Sequence, residues 1–200
     1  PLDDRSWSEL ENLAKIRWLV LNNSVNGTTI AHFKNLNQLM LLSANDIVAS
    51  TPILEVLKNG APDLRRLSLA NSNLTLSDAR YLAAIPSLEV LNLADNGFEH
   101  NGTKHGAEAL EQLSHLANLT ALCIDAELID GRAIDALKKF PRLKTLILAN
   151  CAGSQDYLKR LQAKFPAARS KYSIIGNTGR ATADGWFDPL TTDPDKEHLW

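Results

Sequence analysis

Glu99, His100, His105 and Glu108 bring two imidazoles and two carboxylates within ten positions of one another. Side chains of these types can hold a divalent cation or move a proton. They surround Asn101-Gly102-Thr103, a turn-forming stretch expected to be flexible, and no motif fixes their geometry. A solvated loop is therefore expected, with no metal. Cys123 follows His115 by eight positions, and a thiolate beside an oriented imidazole is a nucleophile. No catalytic motif surrounds this pair. Neither a Gly-rich phosphate loop ending in Lys-Ser/Thr nor a G-x-S-x-G turn occurs. The chain is expected not to be an enzyme and to need no cofactor; chemistry in the 97–106 loop is the alternative.

Composition narrows the remaining classes. Of 200 residues, 44% are hydrophobic and 22% charged, with a formal net charge of −2. These are ordinary values for a globular protein. Nucleic-acid binders carry a basic balance or stripe, so nucleic acid is not the expected partner. No apolar run approaches the roughly 18 residues that span a bilayer. Pro1-Leu2-Asp3-Asp4 lacks the basic and apolar regions of a signal peptide. Two cysteines, Cys123 and Cys151, are too few for a disulfide framework and read as two reduced thiols. A cytoplasmic setting, or delivery as an effector, is favoured. Five N-x-S/T triplets, at Asn22, Asn26, Asn73, Asn101 and Asn118, support the second reading, a secreted or cell-surface glycosylated receptor-like protein. The abundance of Asn, Ser and Thr favours chance for the triplets.

One apolar frame recurs along the chain. LRRLSLANSNL from Leu64, LEVLNLADNGF from Leu88, LTALCIDAELI from Leu119 and LKTLILANCAG from Leu143 share apolar positions one, four and six. Weaker copies are IRWLVLNNSVN from Ile16 and LNQLMLLSAND from Leu36. Copy starts lie 20 to 31 residues apart. Within each copy, positions four and six alternate on a short strand and face one way. One strand cannot bury that face alone, but stacked copies can. The frame predicts strands at Trp18–Leu21, Leu39–Leu41, Leu67–Leu69, Leu91–Leu93, Leu122–Ile124 and Leu146–Leu148, with Tyr172, Ile174 and Ile175 as a seventh, closing strand. Parallel neighbours need crossovers, usually helical. The intervals supply apolar residues at helical spacing: Ile53, Leu54, Val56 and Leu57; Ala79, Leu82, Ala83 and Ile85, with Ser77 and Asp78 as caps; Ala107, Leu110, Leu113 and Leu116; Ile134, Leu137 and Phe140; Tyr157, Leu158, Leu161 and Phe165. Pro62, Pro86, Pro141 and Pro166 follow these helices as stops.

The frame resembles the leucine-rich-repeat family, L-x-x-L-x-L-x-x-N/C-x-L, over Ile16 to Gly153. That resemblance implies an α/β solenoid, with a curved parallel sheet on the concave face and helices on the convex face. It also implies non-enzymatic recognition of a protein partner, as part of a scaffold, an effector or a ubiquitin-ligase-type assembly. The organisation read from it is one domain over 1–176: a capping helix at 1–15 around Trp7, Leu10 and Leu13, six repeats at 16–153, and a closing repeat at 154–176. A loop-like tail follows at 177–200, carrying Trp186, Phe187, Leu190, Leu199 and Trp200. Position nine departs from the family, reading Ser24, Ala44, Ser72, Asn96, Glu127 and Cys151. A buried Glu127 would be costly, so the turn there is expected to be distorted.

Positions two, three, five, seven and eight point away from the helices. Read in this frame, column two is Arg17, Asn37, Arg65, Glu89, Thr120 and Lys144. Column three is Trp18, Gln38, Arg66, Val90, Ala121 and Thr145, and column five is Val20, Met40, Ser68, Asn92, Cys123 and Ile147. Trp, Met and Arg are enriched at interface centres. The candidate partner-binding residues are therefore Trp18, Val20, Met40, Arg65, Arg66, Glu89 and Asn92.

Overall fold

The computed structural model describes residues 15–21, 33, 36–47, 50–100, 102–150 and the backbone of 173–176. Seven strands form one sheet: β1 (Trp18–Leu21), β2 (Leu41–Ala44), β3 (Arg66–Ser68), β4 (Val90–Asn92), β7 (Ala121–Asp125), β8 (Thr145–Ala149) and β9 (Ser173–Gly176). They neighbour one another in that order, and every pair is parallel. Four helices lie in the intervals among the described residues: α1 (Ser50–Gly60), α2 (Leu76–Ala83), α3 (Gly106–Leu113) and α4 (Gly131–Leu137). The capping helix expected at 1–15, the helix expected around Tyr157 and the tail lie outside the described residues.

The second repeat corrects the sequence frame by three residues. Leu41 pairs with Trp18 on one side and Arg66 on the other. Leu41 therefore occupies position three, and the copy starts at Leu39 rather than Leu36. Met40 moves to position two and Ser43 to position five, while Asn37 and Gln38 leave the sheet. Leu36 and Leu39 are both buried apolar residues, so the apolar pattern alone fits either frame. The backbone discriminates between them. Position eight takes a left-handed conformation at Asp46 (φ 59°), Asn71 (φ 51°), Asp95 (φ 58°) and Asn150 (φ 50°). Among non-glycine residues, Asn and Asp tolerate that region best.

Positions one, four and six bury Leu64, Leu67, Leu69, Leu88, Leu91, Leu93, Leu119, Leu122 and Ile124 completely. They join Ile53, Leu54 and Leu57 of α1, Ala79 and Leu82 of α2, Leu110 and Leu113 of α3 and Ala133 of α4 in one core. That core defines a helix side of the sheet. Full burial of each leucine contributes roughly 1.5–3 kcal/mol, so stacking repeats supplies what a three-residue strand lacks.

Local signals set the helix ends. Thr75, not Ser77, caps α2: the Asp78 carboxylate accepts from Thr75 N and Thr75 Oγ1, both at 2.8 Å. Asp130 caps α4 by accepting from Ala133 N at 2.8 Å. Pro62, Pro86 and Pro141 fall just past α1, α2 and α4.

The longest interval is more ordered than its composition suggests. Glu99–His100 (β5) and Thr103–Lys104 (β6) pair antiparallel, with Gly102 at φ 72° in the turn. Immediately after, a Cβ at Gly106 would lie 2.7 Å from Leu128 Cβ and 2.8 Å from Leu128 O. Only glycine lets the start of α3 approach the turn at Ala126–Leu128.

That turn is a 3-10 segment, and it is the distortion expected at Glu127. Glu127 is not buried there. Its carboxylate is exposed and pairs with Lys104. The polar task passes to Asp125. Along the turns, Ile47 N donates to Ser72 Oγ, Ser72 N to Asn96 Oδ1, and Asn96 N to Asp125 Oδ2 at 3.1 Å. Asn96 Nδ2 also donates to the carbonyls of Leu69, Leu93 and Ala94. Buried backbone groups need such partners.

Candidate functional site

The sheet face away from the helices carries columns two, three, five and seven. Column two forms a backbone ladder, with each N–H donating to the carbonyl of the preceding repeat. Met40 N reaches Arg17 O at 2.8 Å, Arg65 N reaches Met40 O at 3.0 Å, and Glu89, Thr120 and Lys144 continue at 2.8 Å. Its side chains make one rim of the face. Arg17, Arg65 and Lys144 are exposed. Arg65 Nε lies 3.8 Å from Glu89 Oε1 with both side chains about half exposed, a pair worth little in water. Arg17 Nη2 points at Met40 Sδ, 3.0 Å away.

Column three begins with Trp18, 40% exposed, and column five with Val20, 39% exposed; these are the exposed large hydrophobics of the described residues. Arg66 is partly covered. Burial pushes its guanidinium below its ordinary value, and the Glu89 charge pulls it back.

Of the seven candidate residues, Trp18, Val20 and Arg65 are exposed, and Met40, Arg66 and Glu89 are partly covered. Asn92 is a correction: it is 1% exposed. Its Nδ2 donates to Ser68 Oγ at 3.0 Å, and Ser68 Oγ donates to Asn45 Oδ1 at 2.7 Å. Asn92 therefore belongs to a polar floor that ties neighbouring strands together. Cys123, expected on the accessible surface, is buried in the same column. Cys151 lies outside the described residues.

An Asp–Asn edge, formed by residues outside the seven candidates, borders the face. Asn71 Nδ2 donates to Asp46 Oδ1 at 2.5 Å. Asn150 Nδ2 donates to Asp95 Oδ1 and Asp125 Oδ1, both at 2.7 Å. Burial pushes the Asp125 carboxyl up, and hydrogen bonds from Asp95, Asn150 and Asn96 partly offset this. The recurring Asn or Asp at position eight was the available signal.

The reactive residues do not converge. His105 Nδ1 lies 3.8 Å from Glu108 Oε2, and Glu108 pairs with Arg132 at 2.9 Å. Glu108's own backbone hydrogen bond, with Arg132 beside it, holds its carboxyl below the usual range. Among the described residues no group of three His, Cys, Asp or Glu could hold a metal ion. The His100 side chain lies outside the described residues. His115 Nδ1 sits 2.9 Å from Gln112 O just past α3, while Cys123 faces the other side of the sheet. No helix among the described residues is long and apolar enough to cross a membrane. Among the sequons, Asn73 is exposed, whereas Asn118 Nδ2 donates to Pro86 O at 3.0 Å.

No protein-family model matches the chain, and no curated protein matches it. Among solved structures, the chain is similar to one in the crystal structure of the TLR13–ssRNA13 complex, at 19% identity and a TM-score of 0.40. The match covers 70% of this chain and 23% of that one.

Proposed function

We propose that the chain is a leucine-rich-repeat solenoid and a non-enzymatic recognition module that binds a protein partner on the sheet face opposite its helices. In that architecture the face is concave and the helices form the convex side. The observation that carries this reading is the in-register stack of parallel strands with Trp18 and Val20 exposed beside the Arg17–Arg65 rim. Aromatic and Arg side chains on a rigid surface are the usual anchors of protein interfaces. The rim is short, the net charge is −2, and the apolar anchors are large, so protein fits better than nucleic acid.

A role within a cytoplasmic or delivered assembly is preferred over a glycosylated receptor, because Asn118 Nδ2, the atom that would carry a glycan, donates to Pro86 O at the surface. The intact mass of the native protein checks this: no added hexose is expected, and glycan on Asn73 or Asn118 would favour the receptor reading.

The binding reading is tested by placing a photoreactive amino acid at Trp18 and, separately, at Lys58 on α1. The Trp18 variant is expected to capture a discrete protein that wild-type chain competes away. Equal capture from Lys58 would place the site on the helices instead.

A further inference from the structure

Charge on the open face is unevenly placed. Columns two and three carry Arg17, Arg65, Arg66 and Lys144 against a single carboxylate, Glu89, among the described residues. The chain as a whole has the opposite balance, a formal −2. Glu89 cannot neutralise the group. It lies 3.8 Å from Arg65 Nε, and its charge also acts on Arg66. One anion is thus shared by two guanidiniums. At Arg66 burial lowers the guanidinium from its ordinary value more than Glu89 raises it. A second carboxylate close by would offset that loss.

Apolar surface meets this charge in one footprint. Trp18 and Arg66 share a register line through Leu41, and Val20 lies two residues beyond Trp18 on β1. β1 and β3 are two strand spacings apart, about 10 Å, which about three residues of an extended chain cross. Lys144 on β8 lies three spacings beyond β3, about 14 Å, further than a charge reaches through physiological salt. The footprint therefore holds Arg17, Arg65 and Arg66. Three cations are few for a phosphate backbone, whose binding grows with each phosphate neutralised. The Asp46 and Asp95 carboxylates border the same face and oppose a polyanion spread across it. A short protein segment suits three cations and two apolar side chains better, because carboxylates match the planar fork of Arg.

Resting on the binding-face reading above, we propose that the partner segment bound at the Trp18 end is acidic. It pairs Asp or Glu side chains about three residues apart with Arg17 and the Arg65–Arg66 pair, and it packs an apolar side chain on Trp18 and Val20.

Random displayed peptides of about twelve residues, longer than the footprint requires, are selected on the immobilised full chain. The most enriched peptide is then labelled and titrated by fluorescence polarisation. It is expected to carry Asp or Glu about three residues apart beside an apolar residue, and to bind more weakly as salt is raised. Arg17→Glu/Arg65→Glu and Trp18→Ala should each weaken it at least about tenfold at unchanged melting temperature. Lys58→Glu on α1 should bind it normally. If the double reversal unfolds, Arg17→Gln/Arg65→Gln decides, with a smaller loss expected in the same direction. Enrichment of neutral or basic peptides, no enrichment, or normal binding by the arginine variants would overturn the proposal. A labelled oligouridine of about twenty nucleotides is expected not to bind; tighter binding than the peptide, lost in the arginine variants, would overturn the proposal in favour of RNA. Neutral or basic peptides that still need Trp18 would leave the binding face standing and remove only its acidic partner.

Discussion

At the residue scale, polar groups inside the turns set the pH response. Asp125 replaces the position-nine side chain in its repeat, accepting from Asn96 N and Asn150 Nδ2. Its folded-state carboxyl titrates above the ordinary value of 3.8, chiefly through burial. A raised folded value means the contribution to stability is complete below the unfolded value and is lost as pH rises through the folded value. Asp125→Asn removes that dependence. Denaturant titrations at several pH values above 3.8 should show the variant gaining on wild type as pH rises; a constant gap would mean that Asp125 titrates normally. Leu93 is a simpler case. It is fully buried between repeats, so Leu93→Ala should cost about 2–5 kcal/mol, and a loss below about 1 kcal/mol in a denaturant titration would place Leu93 outside the stacked core.

At the element scale, two close contacts position the face. Gly106 lets α3 meet the Ala126–Leu128 turn, so Gly106→Ala should cost about 1–3 kcal/mol by overpacking; an unchanged melting temperature would refute that packing. Asp130→Ala, losing a helix cap, should cost about 1 kcal/mol by the same measurement. These elements also mark what was legible. The apolar frame located the strands because positions four and six must be buried together. It slipped at Leu36 because Leu36 and Leu39 are both buried, and an apolar pattern cannot separate two buried leucines three residues apart. The Asn or Asp required by the left-handed position eight resolves the register. The β5–β6 hairpin was missed because Gly102 signals a turn while its two-residue arms carry no alternating apolar pattern.

At the whole-molecule scale, the accessible patch was half legible. Side-chain direction follows from strand alternation, and Trp18, Val20 and Arg65 are exposed in the structure. Accessibility does not follow from alternation. Asn92 and Cys123 point the same way and are buried, because closure of the floor depends on groups distant in sequence. Met40 and Arg66 are partly covered, so truncating them would mix stability with binding, and Trp18 and Arg65 are the cleaner probes. The most direct measurement is the affinity of the captured partner for wild type, Trp18→Ala, Arg65→Ala and the helix-side control Lys58→Ala. Each open-face variant should bind at least about 30-fold more weakly, the factor for a hot spot of about 2 kcal/mol, with an unchanged melting temperature and normal binding by Lys58→Ala. Full affinity in both open-face variants alongside loss in Lys58→Ala would contradict the account.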